Sequence, residues 1–143
     1  MTSQRIVFVD ATAWIAIMSK GDENHSIAAK IYRTELINSS YFITSNLTTY
    51  EAYTMIKTRI GIEKAKKLRE VIENKKLVKI ERVTPDIEKE ALDIFWNYAD
   101  KTWGIIDITS LKIMERYDCK LAFAFDRHFD EAAKQYGFQI VTI

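Results

Sequence analysis

Four acidic residues of this chain have types and positions that suit metal-dependent chemistry. Asp10 and Asp126 each follow a short apolar run directly, Asp107 follows two isoleucines, and Glu51 lies in a segment that follows a third apolar run. Two carboxylates about 4 Å apart repel each other by about 4 kcal/mol at an effective dielectric constant of about 20, so a chain that gathers several of them needs a cation among them. Oxygen donors without histidine or cysteine predict Mg²⁺ or Mn²⁺ rather than Zn²⁺.

Each of these acids also has a purely structural interpretation. Asp10, Asp107 and Asp126 each stand before an expected helix, where an aspartate side chain accepts hydrogen bonds from the free N–H groups of the first turn. Glu51 lies inside an expected helix, where an isolated glutamate is most often solvated. Capping can explain Asp10, Asp107 and Asp126 one at a time, but it does not explain Glu51. The positions of the four acids taken together therefore favour one shared site.

The order of the apolar segments predicts how the acids are positioned. Strands and helices alternate along the chain, which is typical of a three-layer α/β/α fold with a mainly parallel central sheet. Ligands bind such sheets outside the carboxyl ends of the strands, where Asp10 and Asp126 stand, and these two acids share one rim if their strands are neighbours. Strands are expected at 5–9, 41–44, 77–83 (an edge strand), 121–125 and 139–143, and helices at 11–19, 25–37, 46–60, 62–74, from 85 onwards, 108–117 and 127–136.

Composition narrows the setting further. The 143 residues are 48% hydrophobic and 29% charged, which predicts one folded domain spanning 1–143 rather than a disordered chain. The single cysteine, Cys119, cannot form a disulfide within the chain, and no apolar run approaches the roughly 18 residues of a membrane helix. We therefore expect a cytoplasmic protein. The net charge of +1 does not by itself indicate a nucleic-acid partner.

Four phrases, in their order along the chain, resemble the PIN domain family, and nearly the full length fits its compact VapC-like ribonuclease branch. They are VDATAWIAI, TSNLTTYEA, GIIDITSL and AFDRHFDEAAKQYGFQIV, which begin at Val9, Thr44, Gly104 and Ala124. Each phrase alone is weakly specific, whereas four in this order are strongly specific. The resemblance implies a PIN-like fold and metal-dependent hydrolysis of phosphodiester bonds in RNA. It also implies a homodimer and a small cognate antitoxin protein that holds the toxin inactive.

The resemblance carries the acidic quartet of the family to Asp10, Glu51, Asp107 and Asp126. Asp10 and Asp107 would hold a divalent ion that neutralises phosphate charge and lowers the pKa of a bound water, while Glu51 and Asp126 complete its surroundings or orient that water. Asp130, one turn beyond Asp126, is an extra acid that could replace it. We favour Asp126 because it ends a strand.

Hydroxyl side chains accompany the acids. The family's polar residue after the third acid falls on Thr109 or Ser110, and Thr12 stands two residues after Asp10. Thr12 and Thr109 could offer hydroxyls to a phosphate or to a metal-bound water. The alternative is that they serve the starts of helices, which is the commoner role of such residues.

The segment 57–82 is the basic part of the chain and a candidate track for a phosphate backbone. It holds ten basic and four acidic residues, a net charge of +6 in a chain whose total is +1. The alternative is a solvated helix surface with pairs such as Glu63–Lys67. Arg127, next to Asp126, is a further candidate for contact with a phosphate. The basic residues of the segment are Lys57, Arg59, Lys64, Lys66, Lys67, Arg69, Lys75, Lys76, Lys79 and Arg82.

Other conspicuous side chains predict no site. His128 is expected in a first helical turn, and without a second histidine nearby it does not predict zinc. Trp14, Trp96 and Trp103 are expected in the core or at an interface rather than stacked on bases.

Two other classes of protein also carry aspartates at the end of the first strand. A phosphatase of the haloacid dehalogenase type needs a second aspartate where this chain has Thr12, and a receiver domain needs an acidic pair at the end of its first strand. No phosphate-binding loop of the form GxxxxGKS or GxxxxGKT occurs. The remaining alternative is a non-catalytic PIN-like module that binds RNA or protein. An intact acidic quartet argues against it, because its repulsion would then have no purpose.

Overall fold

The structure is a computed structural model that describes residues 4–143. Within this range, five parallel strands form one sheet in the order β3-β2-β1-β4-β5, and seven helices pack on its two faces. The strands are β1 Ile6–Val9, β2 Tyr41–Ser45, β3 Val78–Glu81, β4 Leu121–Phe123 and β5 Gln139–Ile140. The helices are α1 Ala11–Met18, α2 His25–Ile37, α3 Asn46–Arg59, α4 Ile62–Ile72, α5 Pro85–Asn97, α6 Ile105–Arg116 and α7 Arg127–Tyr136.

β1 lies at the centre of the sheet and is covered on both faces. Val7 and Val9 pack into one hydrophobic cluster with α1, α2, α3 and α4, whereas Phe8 packs into a second cluster with α5, α6 and α7. Successive side chains of a strand point to opposite faces, so a strand covered on both sides is apolar at every position. This explains the unbroken apolar run ahead of Asp10, and the predicted three-layer fold is confirmed.

The prediction of a mainly parallel sheet is also confirmed, since every strand pair is parallel. β3 lies at one edge, as its alternating sequence predicts. β3, β4 and β5 end earlier than predicted. Beyond β3 and β4, side chains accept hydrogen bonds from the backbone N–H groups. The Val83 N–H donates to Asn46 Oδ1 at 2.8 Å after β3, and the Phe125 N–H donates to Thr12 Oγ1 at 3.0 Å after β4.

Among residues 4–143, no helix has the length and apolar character needed to span a membrane.

The helix that carries Asp107 begins earlier than predicted. α6 starts at Ile105 rather than at residue 108, and Gly104 is its N-cap residue. Asp107 is therefore the third helical residue, and its Oδ2 accepts a hydrogen bond from the Gly104 backbone N–H at 3.3 Å. The interpretation of Asp107 as an N-cap is wrong. A glycine cap supplies no side-chain acceptor, so the sequence carries little sign of this helix start.

Two of the three tryptophans lie in the core, as predicted. Trp14 is 0% exposed and Trp103 is 3% exposed, whereas Trp96 near the end of α5 is 75% exposed and does not belong to the core. Phe95 and Tyr98, at the same end of α5, are exposed as well, although their spacing along the helix is that of an apolar face. The helical period shows which face of a helix is apolar, but it does not show where the neighbouring layer stops.

A partly buried ion pair joins the amino ends of β1 and β2 to α2. Glu35 is 2% exposed and accepts hydrogen bonds from Arg5 Nε at 2.7 Å and from Ser40 Oγ at 2.5 Å. Burial by itself raises the pKa of the Glu35 carboxyl, but the hydrogen bonds from Arg5 and Ser40 outweigh it and hold the pKa below its ordinary value. This contact stabilises the end of the sheet that lies opposite the acids of interest.

We expect Glu35→Gln to destabilise the protein by about 2 kcal/mol at pH 7, because a hydrogen bond to a charged group contributes about 1.5–3 kcal/mol. The folded-state pKa of Glu35 is lowered, so its contribution is present above the unfolded-state pKa and is lost as the pH falls through the folded-state value. Urea unfolding at neutral and acid pH measures this difference. The exposed control Glu70→Gln should not change the urea midpoint. A loss for Glu35→Gln that does not shrink at acid pH would contradict the prediction.

Candidate active site

Asp10 and Asp126 lie at the same rim of the sheet because β1 and β4 are neighbours. Val9 pairs with Phe123, and the Asp10 backbone N–H donates to the Phe123 carbonyl oxygen at 3.0 Å. Asp10 is 4% exposed, whereas the side chain of Asp126, three residues beyond Phe123, is 24% exposed. The sequence predicted that Asp10 and Asp126 share one rim if their strands are neighbours, and β1 and β4 are neighbours in the structure.

Thr12 links the carboxyl ends of β1 and β4 through its hydrogen bonds. Its hydroxyl donates to Asp10 Oδ2 at 2.6 Å and accepts a hydrogen bond from the Phe125 backbone N–H at 3.0 Å. The Thr12 backbone N–H also donates to Asp10 Oδ2, at 3.2 Å, so Asp10 caps α1 as predicted. Both bonds engage the same carboxylate oxygen, which leaves Oδ1 of Asp10 available to a cation.

Asp107 and Asp126 come together with a histidine. The Nδ1 atom of His128 lies 3.3 Å from Asp126 Oδ1 and 3.5 Å from Asp107 Oδ2. One donor atom from each of these three residues lies within 4.8 Å of the other two. Their side chains are 18–25% exposed, so an ion can reach them from the solvent.

Glu51 is the sixth residue of α3, and its side chain is exposed. The helix starts at the rim because Ser45 ends β2 and caps α3, with its Oγ accepting the Thr48 N–H at 3.0 Å. The Thr48 hydroxyl lies 3.4 Å from Ser110 Oγ on α6. This contact holds the helix of Glu51 against the helix of Asp107.

The hydroxyls that follow Asp107 are used within the fold. Thr109 Oγ1 donates to the Ile106 carbonyl oxygen at 2.7 Å, and Ser110 Oγ donates to the same oxygen at 3.1 Å. Both residues are buried. Neither hydroxyl caps the start of α6, because each donates to a carbonyl oxygen within that helix. Their burial argues against direct contact with a phosphate.

Three of the four acids have a raised pKa, in part because of the charges of neighbouring acids. The pKa of Asp10 is raised to about 6, by burial first and then by the charges of Asp107 and Asp126, although the hydrogen bonds from Thr12 oppose the shift. Partial burial and the charges of Asp10 and Asp126 raise the pKa of Glu51. Burial and the charge of Asp126 raise the pKa of Asp107. The four acids therefore share one region of negative potential, which a bound cation would relieve.

His128 is the residue at this rim that the sequence did not predict. The sequence predicted carboxylate donors without histidine, whereas the structure places an imidazole nitrogen beside the carboxylate oxygens. A usable signal was its position two residues after Asp126. When an aspartate caps a helix, the second helical residue donates its N–H to the cap, here from His128 to Asp126 Oδ1 at 2.8 Å. Asp130, one turn further along α7, is exposed.

The strand order and the acids gathered beyond the carboxyl ends of the strands define an α/β protein with a candidate metal site. A family model described as the PIN domain matches residues 7–135. The chain therefore belongs to the PIN domain family, and the resemblance seen in the four sequence phrases is confirmed.

The chain is also similar over most of its length to a protein of Mycobacterium tuberculosis. In strains CDC 1551 / Oshkosh and ATCC 25618 / H37Rv, this relative is the 23S rRNA-specific endonuclease VapC20, 28% identical over 127 residues that cover 89% of this chain and 94% of the relative. The crystal structure of M. tuberculosis VapC20, a Sarcin-Ricin loop cleaving toxin, has a TM-score of 0.85 and 27% identity, and the match covers 96% of this chain and 99% of that one.

We expect Asp10→Asn to stabilise the metal-free protein at pH 7 by about 2–3 kcal/mol, because each unit of pKa shift corresponds to about 1.4 kcal/mol. Asparagine keeps an acceptor for Thr12 and removes the buried charge. The folded-state pKa of Asp10 is raised to about 6, so its favourable contribution is present below the unfolded-state pKa and is lost as the pH rises through about 6. The gain in stability of Asp10→Asn over the parent should therefore increase as the pH rises from the unfolded-state pKa of Asp10 to about 6.

Urea unfolding in the presence of EDTA, as a function of pH, measures this change. The exposed Asp130→Asn is the matched control and should show no such growth with pH. An Asp10→Asn protein that is no more stable than the parent at any pH would contradict the prediction, and it would indicate that Asp10 acts only as a helix cap, because asparagine caps a helix about as well as aspartate.

Proposed function

We propose that this protein is a metal-dependent endoribonuclease and the toxin of a toxin–antitoxin pair. The observation that carries the proposal is the convergence of Asp10, Glu51, Asp107 and Asp126 at one rim, in a fold shared with a toxin that cleaves rRNA. A carboxylate that is buried among like charges is unfavourable in its ionised form. A divalent cation offsets this cost, and the carboxylate oxygens present suit Mg²⁺ or Mn²⁺.

The proposed roles follow from the positions of the side chains. Asp10, held by Thr12, and Asp107, held by the Gly104 N–H, bind the cation. When bound, a divalent cation neutralises charge on the phosphate and lowers the pKa of a bound water. Glu51 and Asp126 orient the attacking water from the solvent-accessible side of the rim. Because Thr12 also binds the Phe125 N–H, it keeps Asp10 at a constant position relative to the segment that leads to Asp126.

The basic segment 57–82 supports an RNA substrate. Nine of its ten basic side chains are exposed, and only Lys64 is partly buried. The expected pair Glu63–Lys67 is replaced by a contact between Lys66 and Glu63 at 3.7 Å. An exposed ion pair of this kind contributes little, so most of the positive charge stays available to a phosphate backbone.

We also propose the partners and setting that this function requires. The chain would act as one PIN-like domain spanning 1–143, in the cytoplasm, as a homodimer that a small cognate antitoxin holds inactive. The relative in M. tuberculosis is named for its action on 23S rRNA, so 23S rRNA is the first substrate to test. A non-catalytic PIN-like module that binds RNA or protein is the alternative, and the cleavage experiment separates the two.

We expect the purified protein to cleave ribosomal RNA in Mg²⁺ or Mn²⁺ and to lose this activity in excess EDTA. Asp10→Asn or Asp107→Asn should reduce cleavage by more than about a hundredfold, since even the residues that only orient metal ligands affect activity by about 10–100-fold. Asp130→Asn is the control, because Asp130 is exposed one turn beyond the rim. Gel analysis of end-labelled RNA with each variant measures the rates.

Two outcomes would contradict the proposal. Cleavage that continues in excess EDTA would exclude a metal-dependent reaction. A fully active Asp10→Asn protein would show that this acid serves only to start α1. Binding of RNA without cleavage in either metal would favour the non-catalytic module.

The toxin role predicts a growth phenotype. Induced expression of the parent chain should arrest bacterial growth, whereas Asp10→Asn, which keeps the helix cap, should not. Co-expression of a small protein encoded beside the toxin gene should restore growth. Arrest of equal strength by Asp10→Asn would mean that toxicity does not come from the acidic rim.

A further inference from the structure

Both ring nitrogens of His128 lie close to side-chain oxygens of other residues. Its Nδ1 faces Asp126 Oδ1 at 3.3 Å and Asp107 Oδ2 at 3.5 Å, and its Nε2 lies 3.3 Å from the Thr102 hydroxyl. Thr102 belongs to the segment between α5 and α6, and the side chain of His128 is 25% exposed. The ring is therefore oriented by the fold rather than free at the surface.

This arrangement matches the way in which proteins orient a histidine that binds a metal. Such a histidine donates the N–H of one ring nitrogen to a neighbouring oxygen, so that the other nitrogen presents its lone pair to the ion. If His128 donates its Nε2–H to Thr102, its Nδ1 is unprotonated and faces the space that Asp107 and Asp126 border. A cation there would have one nitrogen donor as well as carboxylate oxygens.

We propose that His128 is a nitrogen ligand of the catalytic cation, and that it makes the site select transition-metal ions such as Mn²⁺ and Co²⁺ over Mg²⁺. The inference rests on the proposed metal-dependent function and adds to it the identity of a ligand and of the ion. Mg²⁺ strongly prefers oxygen donors and keeps several waters. Imidazole nitrogen binds first-row transition ions more strongly, so one such donor changes the ratio of affinities rather than all affinities equally.

A different role for the same ring has a different consequence. If His128 only donated an Nδ1–H hydrogen bond to the carboxylates, it would position them without touching the ion. Removal of the imidazole would then weaken the binding of every divalent ion to a similar extent. The ratio of Mn²⁺ to Mg²⁺ affinity therefore separates a ligand from a positioning residue.

The experiment measures metal binding to the full-length chain by isothermal titration, after removal of bound metal with EDTA. The ions are Mg²⁺, Mn²⁺ and Co²⁺, and the variants are His128→Ala and His128→Asp. His25→Ala is the matched control, because His25 is the other of the two histidines in the chain and binds the Ala16 carbonyl oxygen, near the end of α1 that lies away from Asp10.

We expect the parent and His25→Ala to bind Mn²⁺ and Co²⁺ more tightly than Mg²⁺. His128→Ala should weaken Mn²⁺ and Co²⁺ binding by at least about tenfold and leave Mg²⁺ binding nearly unchanged. Tenfold is a lower limit, because even the loss of a residue that only orients a ligand weakens metal binding by about 10–100-fold. His128→Asp replaces nitrogen by oxygen and should shift the preference towards Mg²⁺. Electron spin-echo measurements on bound Mn²⁺ should detect a coupled nitrogen in the parent and in His25→Ala, but not in either His128 variant.

Thr102 gives a second test, because it acts only through the ring. Thr102→Ala should lower Mn²⁺ affinity while Mg²⁺ affinity is kept, and Thr102→Ser, which restores the hydroxyl, should recover it. Equal weakening of all three ions in His128→Ala, no weakening at all, or a nitrogen signal that persists without His128 would overturn the inference and leave the nuclease proposal intact. A parent chain that binds none of the three ions would overturn both.

Discussion

The central position of β1, paired in parallel with β2 on one side and β4 on the other, is the constraint on which the rest of the structure depends. Phe8 pairs with Ile43 and with Ala122 at once. A strand in this position is covered on both faces and must be apolar throughout, so the first polar residue can come only where the strand ends. That residue is Asp10, and its backbone is still bonded to β4. The acid is therefore held at the middle of the rim.

The structural and functional interpretations of the acids are not exclusive. Asp10 and Asp126 accept hydrogen bonds from the first turns of α1 and α7, and Asp107 accepts one from the residue that caps α6. These bonds hold each carboxylate in one orientation. Burial first, and the charges of the neighbouring acids second, raise the pKa of Asp10 and of Asp107. The caps thus maintain the very repulsion that a cation would relieve.

Much of the fold could be predicted because its signals are local. Burial determines these signals. The apolar run before Asp10 reflects a strand that is buried on both faces, and the alternating pattern of β3 reflects a strand that is buried on one. The start of α6 was missed because Gly104 caps it without a side chain. The sequence did not show which tryptophan lies outside the core, because the exposure of Trp96 depends on where a neighbouring layer stops.

The candidate site was predictable to a similar degree. The acids are visible in sequence, and parallel strands bring their carboxyl ends to one rim, so the approach of Asp10 to Asp126 followed once β1 and β4 were neighbours. His128 could not be assigned in the same way. Its approach to Asp107 depends on how α6 and α7 pack and on the Thr102 contact from a loop. Such contacts between distant segments leave no periodic trace in the sequence.

The strand order also determines when the rim can form during synthesis. β1 is made first, yet its partner β4 and the acid beyond it lie in the last quarter of the chain. Chains emerge from the ribosome with the amino-terminal part first, and contacts between distant segments form late. A growing chain therefore exposes Asp10 and Glu51 long before Asp107 and Asp126 exist beside them. A ribosome that makes this protein is not exposed to the complete rim until the segment that carries Asp126 has been made.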